Sequence, residues 1–243
     1  MTDIVTQVNS SIDCLQQEFN IIAHNMANVS TAGYKRRCNA FSKSLMEQDA
    51  QTKAGHAGDV ALETTFDFSQ GSITETGRPL DFALYGKGFF VIETPQGPLY
   101  TRNGMFQTNQ NGQIVDSEGR IVAGKSGPIS IPPGTGLSQL NVSSNGSISA
   151  GGTVVGEFRL IDFEDDGDKL VPVGGNCFAM PGDTRPTPAE NIVVKQGYLE
   201  ASNVKMVEEL VDMIMVSRLY EANMKFISAR KDISSSIIGV AMA

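Results

Sequence analysis

Two histidines, three cysteines and one acidic run are the residues whose types are suited to chemistry. His24 and His56 are the only histidines in 243 residues. A general base must lie within hydrogen-bond reach of the proton it takes. No Gly-x-Ser-x-Gly or His-Glu-x-x-His pattern supplies either histidine with a partner. Cys14, Cys38 and Cys177 fit no zinc or redox spacing, and an odd number argues against a fully paired disulfide framework. The run Asp162-Phe163-Glu164-Asp165-Asp166-Gly167-Asp168 opens like a calcium-binding loop. The position that should give a bidentate carboxylate is Val173, so a solvated hairpin loop is expected instead. Gly86-Lys87-Gly88 lacks the hydroxyl residue of a phosphate loop and reads, with Gly77, as turn glycine. Glu208 and Glu209 are adjacent on an expected helix, point to different faces and read as solvated. Lys35-Arg36-Arg37 reads as the wet edge of a loop. A net charge of -8 and a pI near 4.8 disfavour a nucleic-acid partner. No catalytic, cofactor-binding or metal-binding residues are assigned.

The elements that would position side chains fall into three stretches. Residues 1–28 read as a helix, because Val8, Ile12, Leu15, Phe19, Ile22 and Met26 recur at spacings of three and four, a heptad seam. A second helix is expected from Asn203, as N-cap, to about Ile238. It carries one seam of Val204, Val207, Val211 and Ile214 and a neighbouring one that includes Tyr220, Met224 and Ile227. Between them, short apolar runs such as Phe89–Ile92 and Ile121–Val122 alternate with the turn signals of Asn109–Gly112 and Ser144–Gly146. The expected fold is therefore mixed α and β, in four parts. Residues 1–35 form an N-terminal assembly helix and turn, 36–65 a linker or extended arm, 66–196 a central, mostly β domain, and 197–243 a C-terminal assembly helix. Two arrangements of the terminal helices are open on pattern alone: pairing with each other in a coiled-coil-like assembly domain, or packing on the sheet. No Lys or Arg precedes Lys35, so no signal peptide is expected. No run of 18 apolar residues occurs, so no membrane insertion is expected.

Four ordered blocks carry a family resemblance. The first is Asn25-Met26-Ala27-Asn28-Val29-Ser30-Thr31-Ala32-Gly33-Tyr34-Lys35. The second runs from Thr76-Gly77-Arg78-Pro79-Leu80-Asp81-Phe82 through Gly86-Lys87-Gly88-Phe89-Phe90-Val91. The third is Tyr100-Thr101-Arg102-Asn103-Gly104-Met105-Phe106, followed by Asn111-Gly112-Gln113-Ile114-Val115. The last begins at Gln196-Gly197-Tyr198-Leu199-Glu200-Ala201-Ser202-Asn203-Val204 and continues to Arg218-Leu219-Tyr220-Glu221-Ala222-Asn223. Together they span nearly the whole chain, which resembles the flagellar basal-body rod and hook protein family. The single β domain and the run Gly127-Pro128-Ile129-Ser130-Ile131-Pro132 resemble the proximal rod subunit more than the distal one.

The resemblance implies a structural subunit, not an enzyme. It would polymerise with other rod subunits into the axial drive shaft that transmits torque for motility. It would be exported through the flagellar type III export apparatus without a cleaved signal and reside in the basal body across the periplasm. A distal rod or hook-type subunit is the alternative station. A secreted cell-wall hydrolase is a reading of another class, and would need a catalytic domain for which this chain has no spare length. The physical reading is that two apolar end helices are marginal alone and fold when neighbours bury them. Asn25 and Asn28 would stop the first helix, Gly33 would redirect the chain and Tyr34 would dock on a neighbour. The expected subunit contacts are the seam residues of both helices together with Asn25, Asn28, Gly33 and Tyr34. Polar replacement of Ile12 or Phe19 is expected to leave the β domain folded and to abolish rod assembly. Circular dichroism of the soluble variant beside a motility assay checks this, and a variant that swims normally contradicts it.

Overall fold

A computed structural model of the chain describes residues 2–39, 64–163, 167–182, 186–189 and 192–241. The chain divides into two units. One comprises Met1–Ala27, Arg37–Asp67 and Lys205–Ala243, the other Asn28–Arg36 and Phe68–Val204.

The first unit is helical. Helix α1 runs Thr2–Ala27 and α2 runs Met206–Ala241. They are accompanied by a two-stranded sheet of β1 (Arg36–Asn39) and β2 (Thr64–Asp67). The expected 36–65 arm thus has paired strands at its ends, and its residues 40–63 lie outside the described residues. Helix α2 starts three residues after Asn203, and the Asn203 side-chain oxygen accepts a bond from the Arg36 amide. Asn203 is therefore not the N-cap of α2.

The second unit is built of β-strands, with single 3-10 turns at Leu137–Gln139 and Gly167–Lys169. Its strands are β3 (Ile73–Glu75), β4 (Phe82–Tyr85), β5 (Phe89–Thr94), β6 (Gly97–Thr101), β7 (Gln107–Thr108), β8 (Ile114–Val115), β9 (Ile121–Gly124) and β10 (Gly127–Pro128). They continue with β11 (Leu140–Val142), β12 (Ser147–Ala150), β13 (Thr153–Glu157), β14 (Leu160–Asp162), β15 (Val171–Gly174), β16 (Cys177–Ala179), β17 (Thr187–Pro188), β18 (Val193–Gln196) and β19 (Tyr198–Glu200). The main sheet has the order β15-β16-β6-β5-β9-β8-β7, with β10 added to β9 and β14 joining β5 to β17. A three-stranded sheet of β11-β12-β13 and the pairs β18-β4 and β19-β3 complete the described strands. The β5–β6 hairpin sets Phe90 opposite Thr101 and Val91 opposite Tyr100. Both expected Asn-Gly turns are present, one between β7 and β8 and one between β11 and β12.

Strand β5 is apolar on both faces because it is covered on both, with Phe89, Phe90, Val91 and Ile92 all buried. The core centres on Phe82, Phe90, Phe106 and Phe158, each at most 1% exposed. Phe90 meets Phe106 edge-on at 5.1 Å and Phe158 at 5.3 Å, and Phe82 meets Phe158 at 5.1 Å. Edge-to-face contact sets the positive rim of one ring against the negative face of the next. Gly104 lets the backbone close over this core: its carbonyl accepts the Phe82 amide at 3.0 Å, and an added Cβ would run into the Phe82 carbonyl.

The expectation of terminal helices forming a coiled-coil-like assembly domain is corrected. The chain is largely β with two helices among the described residues, and α1 and α2 do not make a coiled-coil pair. A coiled coil needs the apolar seam of each helix to interlock with that of the other. Helix α2 instead turns Val207, Val211 and Ile214 to solvent, at 74%, 50% and 53% exposure. The side it buries includes Glu209, at 0%, and Val216, at 8%. Where knobs would fill holes, a groove of about 640 Å³ lies open between Leu15 and Phe19 of α1 and Val216 and Tyr220 of α2.

Phe158→Ala removes the ring shared by two of these edge contacts. It is expected to destabilise the β unit by about 3–5 kcal/mol, read as a lowered urea midpoint by far-ultraviolet circular dichroism.

Candidate functional site

The residues that leave α1 are bound closely into the β unit. Asn28 stops the helix: its carbonyl accepts the Thr31 amide at 3.0 Å, and its side chain meets the Thr31 hydroxyl at 3.2 Å. Gly33 then takes φ +67°, and a Cβ there would strike the Arg102–Asn103 backbone, so only glycine lies flat at this point. Its amide donates to the Glu200 carbonyl at 2.7 Å. Asn176 donates from Nδ2 to the Ala32 carbonyl at 2.8 Å. Tyr34 is buried in the same unit, at 5% exposure.

Lys35 ends this segment in the interior. It is 1% exposed, and its Nζ donates to Glu200 Oε1 at 2.6 Å and to the Ser69 carbonyl at 2.7 Å. The same Oε1 accepts the Gly71 amide at 2.9 Å, and Oε2 faces Arg102 Nη1 at 3.4 Å. Burial pushes the Arg102 guanidinium below its ordinary pKa, opposed by the charges of Glu200 and Asp162. Arg102 also lies over the Phe89 ring at 5.3 Å. Asn203 closes the cluster, accepting from the Arg36 amide at 2.7 Å and donating to the Ser69 carbonyl at 3.2 Å. Reading Lys35-Arg36-Arg37 as a wet loop edge is therefore wrong for Lys35. Nothing in the spacing revealed its partner, because Lys35 and Glu200 are 165 positions apart.

A second polar lock lies in the helical unit. Asn25, fully buried, donates from Nδ2 to the Arg37 carbonyl at 2.9 Å and accepts the Arg37 amide at 2.9 Å. Its Nδ2 also reaches Glu209 Oε2 at 3.3 Å. Asn25 thus acts as a backbone partner for β1, and not only as a helix stop. Glu209 is buried, so only its neighbour Glu208 matches the expected solvated face; Glu208 pairs with Lys205 at 2.9 Å. The Arg37 guanidinium stands 5.8 Å over the Phe66 ring.

The seam residues separate into two groups. Ile12 and Ile22 are buried, at 9% and 1%, while Val8, Leu15 and Met26 are half-buried and Phe19 is 41% exposed. On the other side Val204 is buried and precedes the helix. Val207, Val211, Ile214 and Met224 are exposed, and Tyr220 and Ile227 are intermediate. Leu210, Met215, Leu219 and Phe226 widen the exposed apolar surface of α2.

Among the described residues the groups suited to chemistry are not assembled for it. Burial and the nearby Arg37 pull His24 below its ordinary pKa of 6.5, so it is neutral at pH 7. Burial pushes the Cys177 thiol up, and Arg120 Nη2 donates to its sulfur at 3.2 Å. A thiol of raised pKa at 2% exposure is a poor nucleophile. His56 and residues 164–166 of the acidic run lie outside the described residues. Gly119-Arg120-Ile121-Val122-Ala123-Gly124-Lys125-Ser126 spells a phosphate-loop pattern. The structure places it in the β9–β10 hairpin with no helix after it, and Lys125 pairs with Glu157 at 2.6 Å. Among the described residues no group of three or more His, Cys, Asp or Glu is placed to hold a metal. Among them, too, no helix is long and apolar enough to cross a membrane.

The sequence pattern of the family described as "Flagellar basal body rod FlgEFG protein C-terminal" matches residues 195–240. That of "Flagellar hook protein FlgE/F/G D1 domain" matches residues 83–150. The chain is similar to the flagellar basal-body rod protein FlgG of Buchnera aphidicola subsp. Schizaphis graminum, at 33% identity over 90% of this chain and 92% of the relative. It is similar to the flagellar basal-body rod protein FlgF of Caulobacter vibrioides, at 32% over 92% and 91%. The FlgF of Salmonella typhimurium is 31% identical over 93% and 92%.

Asn25→Ala strands the amide and carbonyl of Arg37 without their side-chain partner. Each buried polar group left unsatisfied costs about 1–3 kcal/mol, so the helical unit is expected to melt earlier. Thermal unfolding followed at 222 nm checks this.

Proposed function

This chain belongs to the flagellar basal-body rod protein family, and from that premise we propose how it serves there. It is a structural subunit of the bacterial flagellar basal-body rod, joining other rod subunits in the axial drive shaft that transmits torque for motility. Our reading places it in the proximal rod. The observation that carries the function is identity of 33%, 32% and 31% sustained over at least 90% of this chain and of each relative. The single β unit, without a large insertion, supports the proximal station.

The outward face of α2 is our candidate for the subunit contact. Val207, Val211 and Ile214 form an exposed apolar row, with the exposed Met224 on the neighbouring seam, and exposed apolar patches of this kind mark interaction sites. A growing rod supplies sister chains to cover it. Each such contact joins unlike surfaces and repeats without closing, which yields a helical polymer. Phe19 and Leu15, at the groove on α1, extend the same role to the first helix. Asn25, Asn28, Gly33 and Tyr34 act one step back, by fixing the chain where it leaves α1. Ile12 and Ile22 are buried in the subunit itself, so they support the contact surface from beneath.

We further infer that the chain reaches this place through the flagellar type III export apparatus, without a cleaved signal, and works across the periplasm. No catalytic role is assigned: the buried Cys177, its thiol pushed up by burial, is a poor nucleophile, which supports a scaffold.

The double change Val211→Asp with Ile214→Asp puts two carboxylates on the exposed row, at positions that are half or more open to solvent. The variant is expected to export, to retain wild-type circular dichroism and to leave the cell non-motile with truncated rods in isolated basal bodies. Rods of normal length overturn the contact assignment. A clear band from the purified protein on a cell-wall activity gel overturns the structural one.

A further inference from the structure

Helix α2 carries a second exposed stripe that the contact assigned above does not use. Val207, Val211 and Ile214 recur at spacings of four and three, and the exposed Arg218 follows at four. Met215, Leu219, Ala222 and Phe226 recur at four, three and four. Met215, Leu219 and Phe226 are 59%, 56% and 47% exposed, and Ala222 is exposed with them. The second stripe follows the first one position on, and one residue turns a helix by about 100°. A third side of α2, with Glu209 and Val216, is buried in the subunit. A neighbouring helix fills one stripe of this heptad kind, so α2 offers places to two further helices.

We propose that the two stripes are the two halves of one repeated contact. The Val207, Val211 and Ile214 stripe of one copy packs on the Met215, Leu219, Ala222 and Phe226 stripe of the next. This rests on the rod reading above and adds the partner surface and its register. In a helical polymer each copy is carried onto the next by one rotation and one translation, so equivalent helices run the same way and unlike surfaces meet. Like-on-like pairing would put a two-fold axis between copies and give the polymer no direction. The charges set the offset. With the helices level, Val207 and Val211 would lie against Glu208 and Asp212, and two carboxylates would lose water without gaining a partner. A shift of eight residues sets Val207, Val211 and Ile214 against Met215, Leu219 and Ala222. Arg218 then falls at Phe226, and a guanidinium lies favourably on an aromatic ring. Glu208 and Asp212 fall beyond the start of the neighbour's α2. The shift is about 12 Å along the helix, at about 1.5 Å per residue. Each copy gives one stripe and receives one, so the contact continues from copy to copy.

The test places Ile214→Cys and Ala222→Cys at facing positions of the two stripes, in a chain that also carries Cys14→Ser and Cys38→Ser. Cys177, at 2% exposure, is left in place. The two new thiols lie about 12 Å apart on one helix, too far to join within a copy. Oxidised basal bodies carrying both substitutions are expected to give a ladder of dimers and higher multiples on a non-reducing gel. Either substitution alone is expected to leave the chain monomeric. Dimers from a single variant mean that like stripes meet, and overturn the proposal. So does a double variant that is present in basal bodies yet stays monomeric, or that joins only to a protein of another mass; both leave the rod reading standing. Leu219→Asp, which alters the second stripe alone, gives a readout if the cysteine variants do not enter the rod. It is expected to abolish motility, and normal swimming overturns the proposal. Absence of the unsubstituted chain from basal bodies overturns the rod reading itself, and the proposal with it.

Discussion

An ionised carboxylate taken out of water loses several kcal/mol of solvation, and every donor set around it must make up that loss. Glu200 stands in this position at the end of β19. Its oxygens collect the Lys35 ammonium, the Gly71 amide and the Arg102 guanidinium, three groups drawn from separate parts of the chain. The path of the backbone around it follows from that demand. Gly33 lies flat against the Arg102–Asn103 backbone so that Lys35 reaches inward, and Asn203 ties Arg36 to Ser69 beside it. The apolar core of Phe82, Phe90, Phe106 and Phe158 supplies cohesion without direction. The charge cluster supplies direction, because each of its bonds is satisfied by only one arrangement of the segments.

The helical unit meets a similar demand with a neutral side chain. Asn25 presents an amide that behaves like one more strand residue toward Arg37, accepting its N–H and donating to its carbonyl. Glu209 joins the same amide from α2. Burying a carboxylate there fixes which side of α2 turns inward, and the row of Val207, Val211 and Ile214 is left outside as a consequence. A monomer alone gains nothing from an apolar row in water. A subunit whose working state is a polymer gains its contact surface that way. The arrangement suits the family: the chemistry on view is hydrogen bonding, ion pairing and exposed hydrocarbon.

Much of the fold was legible along the chain. The spacing of Val8, Ile12, Leu15, Phe19, Ile22 and Met26 announced α1, and the Asn-Gly turns announced two hairpins, because these signals depend on neighbours within a few residues. The family was legible for another reason, in four ordered motifs spread from Asn25 to Asn223. The candidate site was legible only in part. Gly33 takes the positive φ that its type allows, whereas the burial of Lys35 and the bonds of Asn203 to Arg36 and Ser69 have no local signal. The apolar seams were visible, yet not which of them faced inward. Heptad spacing shows that a stripe exists and is silent on its partner, and two adjacent stripes on α2 left the rotation of that helix open.

The two long helices, the Asn-Gly turns and the rod-family motifs can be read along the chain, since each rests on local backbone preference or on motifs in order. That Lys35, Arg102 and Glu200 share one buried site, and that Glu209 goes inward while Val207, Val211 and Ile214 stay out, emerges in three dimensions alone. Those outcomes depend on desolvation, which is a property of what surrounds a group in space, and the groups concerned are brought together from opposite ends of the chain.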